Sequence, residues 1–473
     1  MSGNESNMDQ KPIEMQNLLD EPQQVKNAGQ STENLERNDN VVREIKWKEQ
    51  VVKVYPLNYQ EIPLVRNQIF CCLIMFLVFG FNDQSTGALI PTLVDEYNIS
   101  EVKVANIFLV QLFGYTFASL CNETIHHHLG MRGGMLIAAM LCLVFFSILV
   151  SKPTSFYLYM ACCLPLGLGI GILDASGNVL MGNLVVHKNE WMGILHAIYG
   201  VAAMLTPPIV NYFAEWGHWS FFFIIPLSLA IIGLIFIIPS FRYETAAKYD
   251  YTCNHGADVS TDGTESKESF VQLLRNPSIL LYALYLFVYL GAEITTGAWF
   301  FTYLLTTKSA DKIKMSYIAS SYWLGLTSGR LLLGFVTKRA FSNEYRASKV
   351  YGALTFAFYA LFFGVGLIDT NSNLYLTILF VIVFFCGFFI GPLFPSASIV
   401  ALQVLPKRLH ISGVGIAVAV GGCGGAALPY LAGLLTHLLG VQCIPFLCWI
   451  MVGMFNLIWW LYPKYIADHP EFL

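Results

Sequence analysis

Residues Gly167 to Asn178 read Gly-Leu-Gly-Ile-Gly-Ile-Leu-Asp-Ala-Ser-Gly-Asn, inside an apolar run that begins at Tyr157. Gly167, Gly171, Asp174 and Asn178 are spaced four, three and four residues apart, which places all four on one face of a helix. The glycines allow a second helix to approach closely, so the acid and the amide face that contact and not lipid. A carboxylate at this depth costs about 2.5–3.5 kcal/mol on insertion scales. Such residues line ion or substrate paths; the competing reading is a structural Asp, hydrogen-bonded and silent.

Working outward, the 473-residue chain is 55% hydrophobic and only 12% charged, the balance of a polytopic membrane protein. Twelve apolar segments of spanning length follow: 68–93, 103–123, 133–151, 157–184, 191–213, 221–241, 279–305, 317–337, 351–368, 374–402, 411–439 and 441–462. Each is continuously apolar, so helices fit and barrel strands do not. With both termini cytosolic, 21 of the 27 Lys and Arg fall on the cytosolic side, five on the outer side, and Arg330 within a segment. That asymmetry obeys the positive-inside rule. The expected organisation is a disordered cytosolic tail (1–66), a six-helix half (67–241), a cytosolic loop (242–277), a second six-helix half (278–463) and a short cytosolic tail (464–473).

No CxxC pair occurs among the 11 Cys, so neither a disulfide framework nor a metal site is expected. No nucleophile motif or phosphate loop suggests an enzyme, and no cofactor beyond a coupling ion, a proton, is expected. The tail carries an acidic dileucine pattern, Glu14 followed by Leu18-Leu19. Adaptors read such signals, pointing to a vacuolar or endosomal membrane, with the plasma membrane as the alternative. The other expected partners are a small-molecule substrate and the bilayer, with no nucleic acid, and the chain is expected to be a monomer.

Further polar groups fall inside the segments. The first holds Asn82, Asp83, Gln84 and Ser85; the second Gln111 and Tyr115; the fifth His196, Tyr199 and Pro208; the seventh Glu293 and Trp299. His126-His127-His128 reads as a cytosolic turn, since adjacent helical residues point apart. The stretch 269–277 reads as a short amphipathic helix on the membrane surface.

The two halves repeat. Asp83-x-Ser-Thr-Gly-Ala88 matches Glu293-x-Thr-Thr-Gly-Ala298 at offset 210, and Gly114-x-Thr116 matches Gly325-x-Thr327 at 211. Gly200 and Pro208 match Gly421 and Pro429 at 221. Two six-helix parallel repeats joined by one cytosolic loop describe an all-α major facilitator architecture. There the first, fourth, seventh and tenth segments line a central cavity, which brings Asp83, Asp174, Glu293 and the Gly391–Pro395 break together.

On these residues the chain resembles the fucose:proton symporter branch of that superfamily, most closely its fungal members. Asn82-Asp83 is similar to the branch's Asn-Asp pair, and Gly169-x-Gly171-x-Leu-Asp174-Ala-Ser-Gly-Asn178 to its glycine-rich Glu motif. Gly291-Ala-Glu293 with Trp299, and Pro392 to Ser396, resemble its seventh and tenth helices. The resemblance implies sugar recognition and proton coupling through Asp83 and Asp174. Two departures stand out: Asp174 is one methylene shorter than the family Glu, and the loop motif after the second helix has decayed to Glu123-x-x-x-His127-His128-x-Gly130-Met-Arg132.

The expectation is proton-coupled symport of a sugar or other neutral polyol by alternating access. Asp83, Asp174, Asn82, Asn178, Gln111 and Glu293 would bind proton and hydroxyls, Trp299 or Tyr115 would stack on the sugar, and His196 could relay the proton. Gly130, Arg132, Arg330, Pro208, Pro395 and Pro429 would serve gating. The alternatives are a proton antiporter of organic cations or drugs, and a non-transporting solute sensor.

Overall fold

The computed structural model describes residues 42–48, 50–255, 276–368, 370, 372–405 and 410–462. Strands β1 (Arg43–Trp47) and β2 (Gln50–Val54) pair antiparallel, Arg43 opposite Val54. The N-terminal half comprises α1 (Pro63–Tyr97), α2 (Glu101–Val150), α3 (Phe156–Gly182), α4 (Lys188–Glu215) and α5 (Ile224–Ser240), with α6 (Ala246–His255) behind it. The C-terminal half comprises α7 (Pro277–Thr307), α8 (Lys312–Ala340), α9 (Glu344–Gly366), α10 (Asn373–Ile390), α11 (Leu393–Val404), α12 (His410–Leu439) and α13 (Ile444–Leu461).

Eleven helical stretches of the described residues are long and apolar enough to cross a membrane, and α2 supplies two of them. The one expected segment missing from these eleven is the eighth, α8. Its 29 residues suffice to span, but Arg330 and a series of Ser and Thr keep it less apolar than the others. The tenth expected segment is split into α10 and α11 at Gly391-Pro392, where a proline cannot donate to the preceding turn. The second and third segments are separated by no loop: α2 stays helical until Gly130, at φ 69° and ψ 178°. A side chain there would be strained, and its Cβ would lie 2.4 Å from Glu244 O.

The sequence repeat is a packing repeat. A Cβ on Gly114 would lie 1.9 Å from Leu164 O and 2.8 Å from Leu168 N. On Gly325 it would lie 1.9 Å from Phe384 O and 2.9 Å from Phe388 N. Gly167 approaches Gln111 O in the same way that Gly387 approaches Tyr322 O. Glycine is needed because the helix axes come within backbone contact. The halves then meet along three seams, α1 with α7, α2 with α12 and α4 with α8.

The tail expected to be disordered through residue 66 is ordered from 42, apart from residue 49, which lies outside the described residues. Its hairpin docks on α6, with Trp47 Nε1–H donating to Asp250 Oδ2 at 2.8 Å and Lys48 Nζ 2.7 Å from the same oxygen. Tyr55 Oη–H donates to Glu244 Oε1 at 2.6 Å, and Lys248 Nζ lies 2.7 Å from that oxygen and 3.7 Å from the Tyr55 ring centre. Burial and the Glu244 charge push the Tyr55 phenol above its usual range, whereas Lys48 and Trp47 hold Asp250 below the usual carboxylate range. Leu57 O accepts from Val185 N at 3.0 Å, tying the strap to the α3–α4 connection. Polar residues therefore order here because the 240–250 segment offers partly buried partners, something composition cannot register. Part of the expected 242–277 loop is likewise helical, as α6. Glu14, Leu18 and Leu19, the stretch 269–275 and the tail 464–473 lie outside the described residues.

Candidate functional site

The glycine face of α3 builds the first part of the site. Gly167 and Gly171 let α2 settle against α3, a Cβ on Gly171 lying only 2.6 Å from Ala118 Cβ and 3.0 Å from Tyr115 O. That approach brings Tyr115 to Asp174: its hydroxyl donates to Asp174 Oδ2 at 2.6 Å. Asn178, one turn on, donates from Nδ2 to Asp174 Oδ1 at 2.8 Å. His196 of α4 donates from Nε2 to Asn178 Oδ1 at 3.2 Å. Tyr115, Asp174, Asn178 and His196 thus form one polar chain across α2, α3 and α4.

The second part lies between α1 and α4, where Tyr199 donates its hydroxyl proton to Asp83 Oδ2. Gln84 Nε2 stands 3.5 Å from that oxygen, at the edge of bonding range. Asn82 is buried, and its Nδ2 has no acceptor among the described residues.

The third part belongs to the C-terminal half. Glu293 of α7, 3% exposed, accepts from Arg330 Nη2 at 3.0 and 3.1 Å. Arg330 Nε–H also donates to Gly391 O at 3.3 Å, so the guanidinium ties α7, α8 and the α10–α11 break together. His196 and Tyr199, the side chains reached from Asp174 and Asp83, lie one turn apart on α4, and Trp323, two turns before Arg330 on α8, has its ring centre 6.3 Å from that of Tyr199. The three carboxylates expected to converge are therefore brought into one region.

Several expected residues have partners that the sequence did not indicate. Arg330, expected to serve gating, sits ten residues inside the end of α8, in the ion pair. Glu293, expected to bind hydroxyls, is engaged by that cation. Trp299 offers no open face in this state: it is fully buried, Nε1–H donates to Pro429 O at 3.0 Å, and its ring lies against Gly433. Gln111 contributes its backbone carbonyl to the Gly167 approach. Gly130 and Arg132 dock on the 244–246 segment, Arg132 N–H donating to Glu244 O at 3.0 Å, a contact within one half. Pro208 lies inside α4, Pro395 in the first turn of α11 and Pro429 inside α12. His126, expected in a cytosolic turn, is helical and buried. Its Nδ1–H donates to Asn122 O at 2.8 Å, which leaves Nε2 to accept from Ser176 Oγ at 3.4 Å.

Tyr199 and Trp323 belong to the site and carry no motif of their own. The signal that points to Trp323 is spacing: Trp323, Thr327 and Arg330 recur at i, i+4 and i+7 on α8. Thr327 Oγ1 would lie 2.2 Å from a Cβ on Gly200, so this face meets α4.

Residues 72–376 match the Major Facilitator Superfamily. A protein of Saccharomyces cerevisiae, Bypass of stop codon protein 6, is 60% identical over 98% of this chain and 95% of its own. The glucose/mannose transporter GlcP of Bacillus subtilis is 24% identical, covering 76% of this chain and 85% of its own. The glucose/galactose transporter of Brucella abortus is 23% identical over 81% and 92%. Among solved structures, a POT family transporter in complex with 5-aminolevulinic acid has the same fold. Its TM-score is 0.66 at 13% identity, over 84% of this chain and 96% of that one. The chain is an integral, multi-pass membrane protein, a transporter and not an enzyme, and it belongs to the major facilitator superfamily.

Proposed function

We propose that this transporter moves a hexose or similar neutral polyol together with a proton, by alternating access. The observation that supports this most is the partnering of Asp83 and Asp174. Both are held by neutral donors, Tyr199 on one and Tyr115 with Asn178 on the other. A carboxylate so held can accept ligand hydroxyls or a proton with no fixed cation competing for it. Protonation also removes the cost of carrying a bare charge through the cavity. Asn178, Asn82, Gln111 and His196 supply further polar groups, and Tyr115 a ring beside them. Two relatives bear the names of glucose transporters, which agrees with this substrate class.

An organic acid is the second reading. It draws on Arg330 inside the site and on a gentisate transporter of Corynebacterium glutamicum, 26% identical over 76% of this chain. An anion would have to displace Glu293 from Arg330, whereas a polyol need displace only tyrosine hydroxyls. Organic-cation antiport is weakened by the same pair, which neutralises one of the three acids.

The test is pH-dye flux in proteoliposomes, with glucose, mannose and galactose pooled, then gentisate, then organic cations. Alkalinisation of the sugar-containing side, abolished by Asp174→Asn, is the expected result. Movement with gentisate or cations alone would overturn the sugar assignment. Specific binding of a solute with no flux of any kind would indicate the sensor.

A further inference from the structure

The repeated motif meets itself in space. A Cβ on Gly87, from the first copy, would lie 2.5 Å from Ala298 Cα and 2.8 Å from Ala298 O in the second. Helices α1 and α7 therefore touch backbone to backbone, one turn outward of Asp83 and Glu293. Beside that contact, Gly297 receives the indole of Trp323: a Cβ there would lie 2.5 Å from Cζ2 and 3.0 Å from Gln84 Oε1. Trp323 is fully buried, and its Nε1–H has no acceptor among the described residues. The indole stands edge-on to Tyr199, ring centres 6.3 Å apart at 79°. Tyr199 in turn bonds Asp83. One continuous chain of contacts, Asp83 to Tyr199 to Trp323 to Gly297, thus crosses α1, α4, α8 and α7 and joins both halves.

We propose that Tyr199 and Trp323 are positioning residues that couple the occupancy of Asp83 to the outer seal between Gly87 and Ala298. A ligand hydroxyl or a proton arriving at the Asp83 oxygen that Tyr199 now holds releases the phenol. The ring then leaves the indole edge, Trp323 loses its support in the Gly297 notch, and α1 and α7 part. The device is poised because the buried indole N–H goes unsatisfied while the seal is shut and can find water once it opens. The Tyr199 bond, charge-assisted, together with the edge-to-face ring contact, holds the shut arrangement against that penalty. Packed interfaces of this kind switch between discrete arrangements and do not bend gradually.

The inference rests on the transport reading for its purpose, but its physical link is tested without any substrate. Hydrogen–deuterium exchange is followed on the full chain in detergent for Asp83→Asn, Tyr199→Phe, the double variant and Trp323→Ala. Asp83→Asn and Tyr199→Phe are each expected to speed exchange at the outer ends of α1 and α7 by about tenfold or more, the worth of one charge-assisted bond, and Trp323→Ala, which empties the Gly297 notch, to speed it at least as much. Exchange at the cytosolic end of α1 stays unchanged. The double variant exchanges no faster than the faster single, since both remove one bond. Tyr115→Phe deletes the matching bond on Asp174, and no contact of Tyr115 with Trp323 is described; it leaves the outer ends unaltered. Multiplying effects in the double variant would overturn the proposal. So would unchanged outer ends in folded singles, or equal opening in Tyr115→Phe. Uptake is not read, so a failed sugar assignment and a failed coupling are told apart.

Discussion

Gly114 against Leu164 in the N-terminal half and Gly325 against Phe384 in the C-terminal half make the same helix crossing, at the same 1.9 Å approach. The acids set upon that shared skeleton are treated in opposite ways. Asp83 and Asp174 are held by tyrosine and asparagine, groups that donate hydrogen bonds and carry no charge. Glu293, the repeat partner of Asp83, is closed by a guanidinium that also binds Gly391 O. A backbone crossing is set by the absence of side-chain bulk and survives duplication. A carboxylate's partner comes from a neighbouring helix and is free to diverge. The N-terminal half is thereby left with two acids that no cation compensates among the described residues, and the C-terminal half with a compensated pair.

The comparison breaks most visibly at Arg330. Arg330→Met strands Glu293 without its cation, and thermal unfolding in detergent should register about 3–5 kcal/mol of destabilisation. Converting Glu293 to Gln in the same chain should recover most of it. If Asp174→Asn costs as much as Arg330→Met, the two halves are not handled differently. Next come the matched glycines: Gly114→Ala and Gly325→Ala should each cost about 1–3 kcal/mol, and equally, because each Cβ meets an unyielding carbonyl. Unequal losses would mean that the repeat is one of sequence and not of packing. Tyr115→Phe follows, with about 1.5–3 kcal/mol lost from one bond to an ionised carboxylate. It should weaken sugar-driven flux at constant expression, whereas Tyr322→Phe, whose hydroxyl donates to Glu293 O at 3.3 Å, should not.

The smallest effect lies outside the membrane. The Asp250 carboxyl is held below its usual range by Lys48 and Trp47, so hairpin docking is favoured above about pH 4 and lost as pH falls through the lowered value. Limited proteolysis of residues 42–54 should accelerate on acidification, and in Asp250→Asn already at neutral pH. Protection unchanged in the variant would show that the Asp250 charge does not dock the hairpin.

The helical segments, the duplication and the placing of Asp83, Asp174 and Glu293 within their helices were legible in the sequence. Each follows from periodicity, from internal repetition or from spacing within one helix, quantities that local order carries. The glycine face of α3 was legible for the same reason, and the neighbouring α2 does close on it. The partners of the acids were not. Tyr199 lies 116 residues from Asp83, Tyr115 lies 59 from Asp174, and Arg330 lies 37 from Glu293. Only tertiary packing selects one partner among many tyrosines, and it alone decided that Trp299 is sealed while Trp323 stands beside Tyr199. It also ordered the polar hairpin, because the surface that receives Trp47 and Tyr55 is assembled from residues 203 and 189 positions away. Local sequence determines where a charged group sits along its helix; what that group can do depends on the side chains that other helices bring to it.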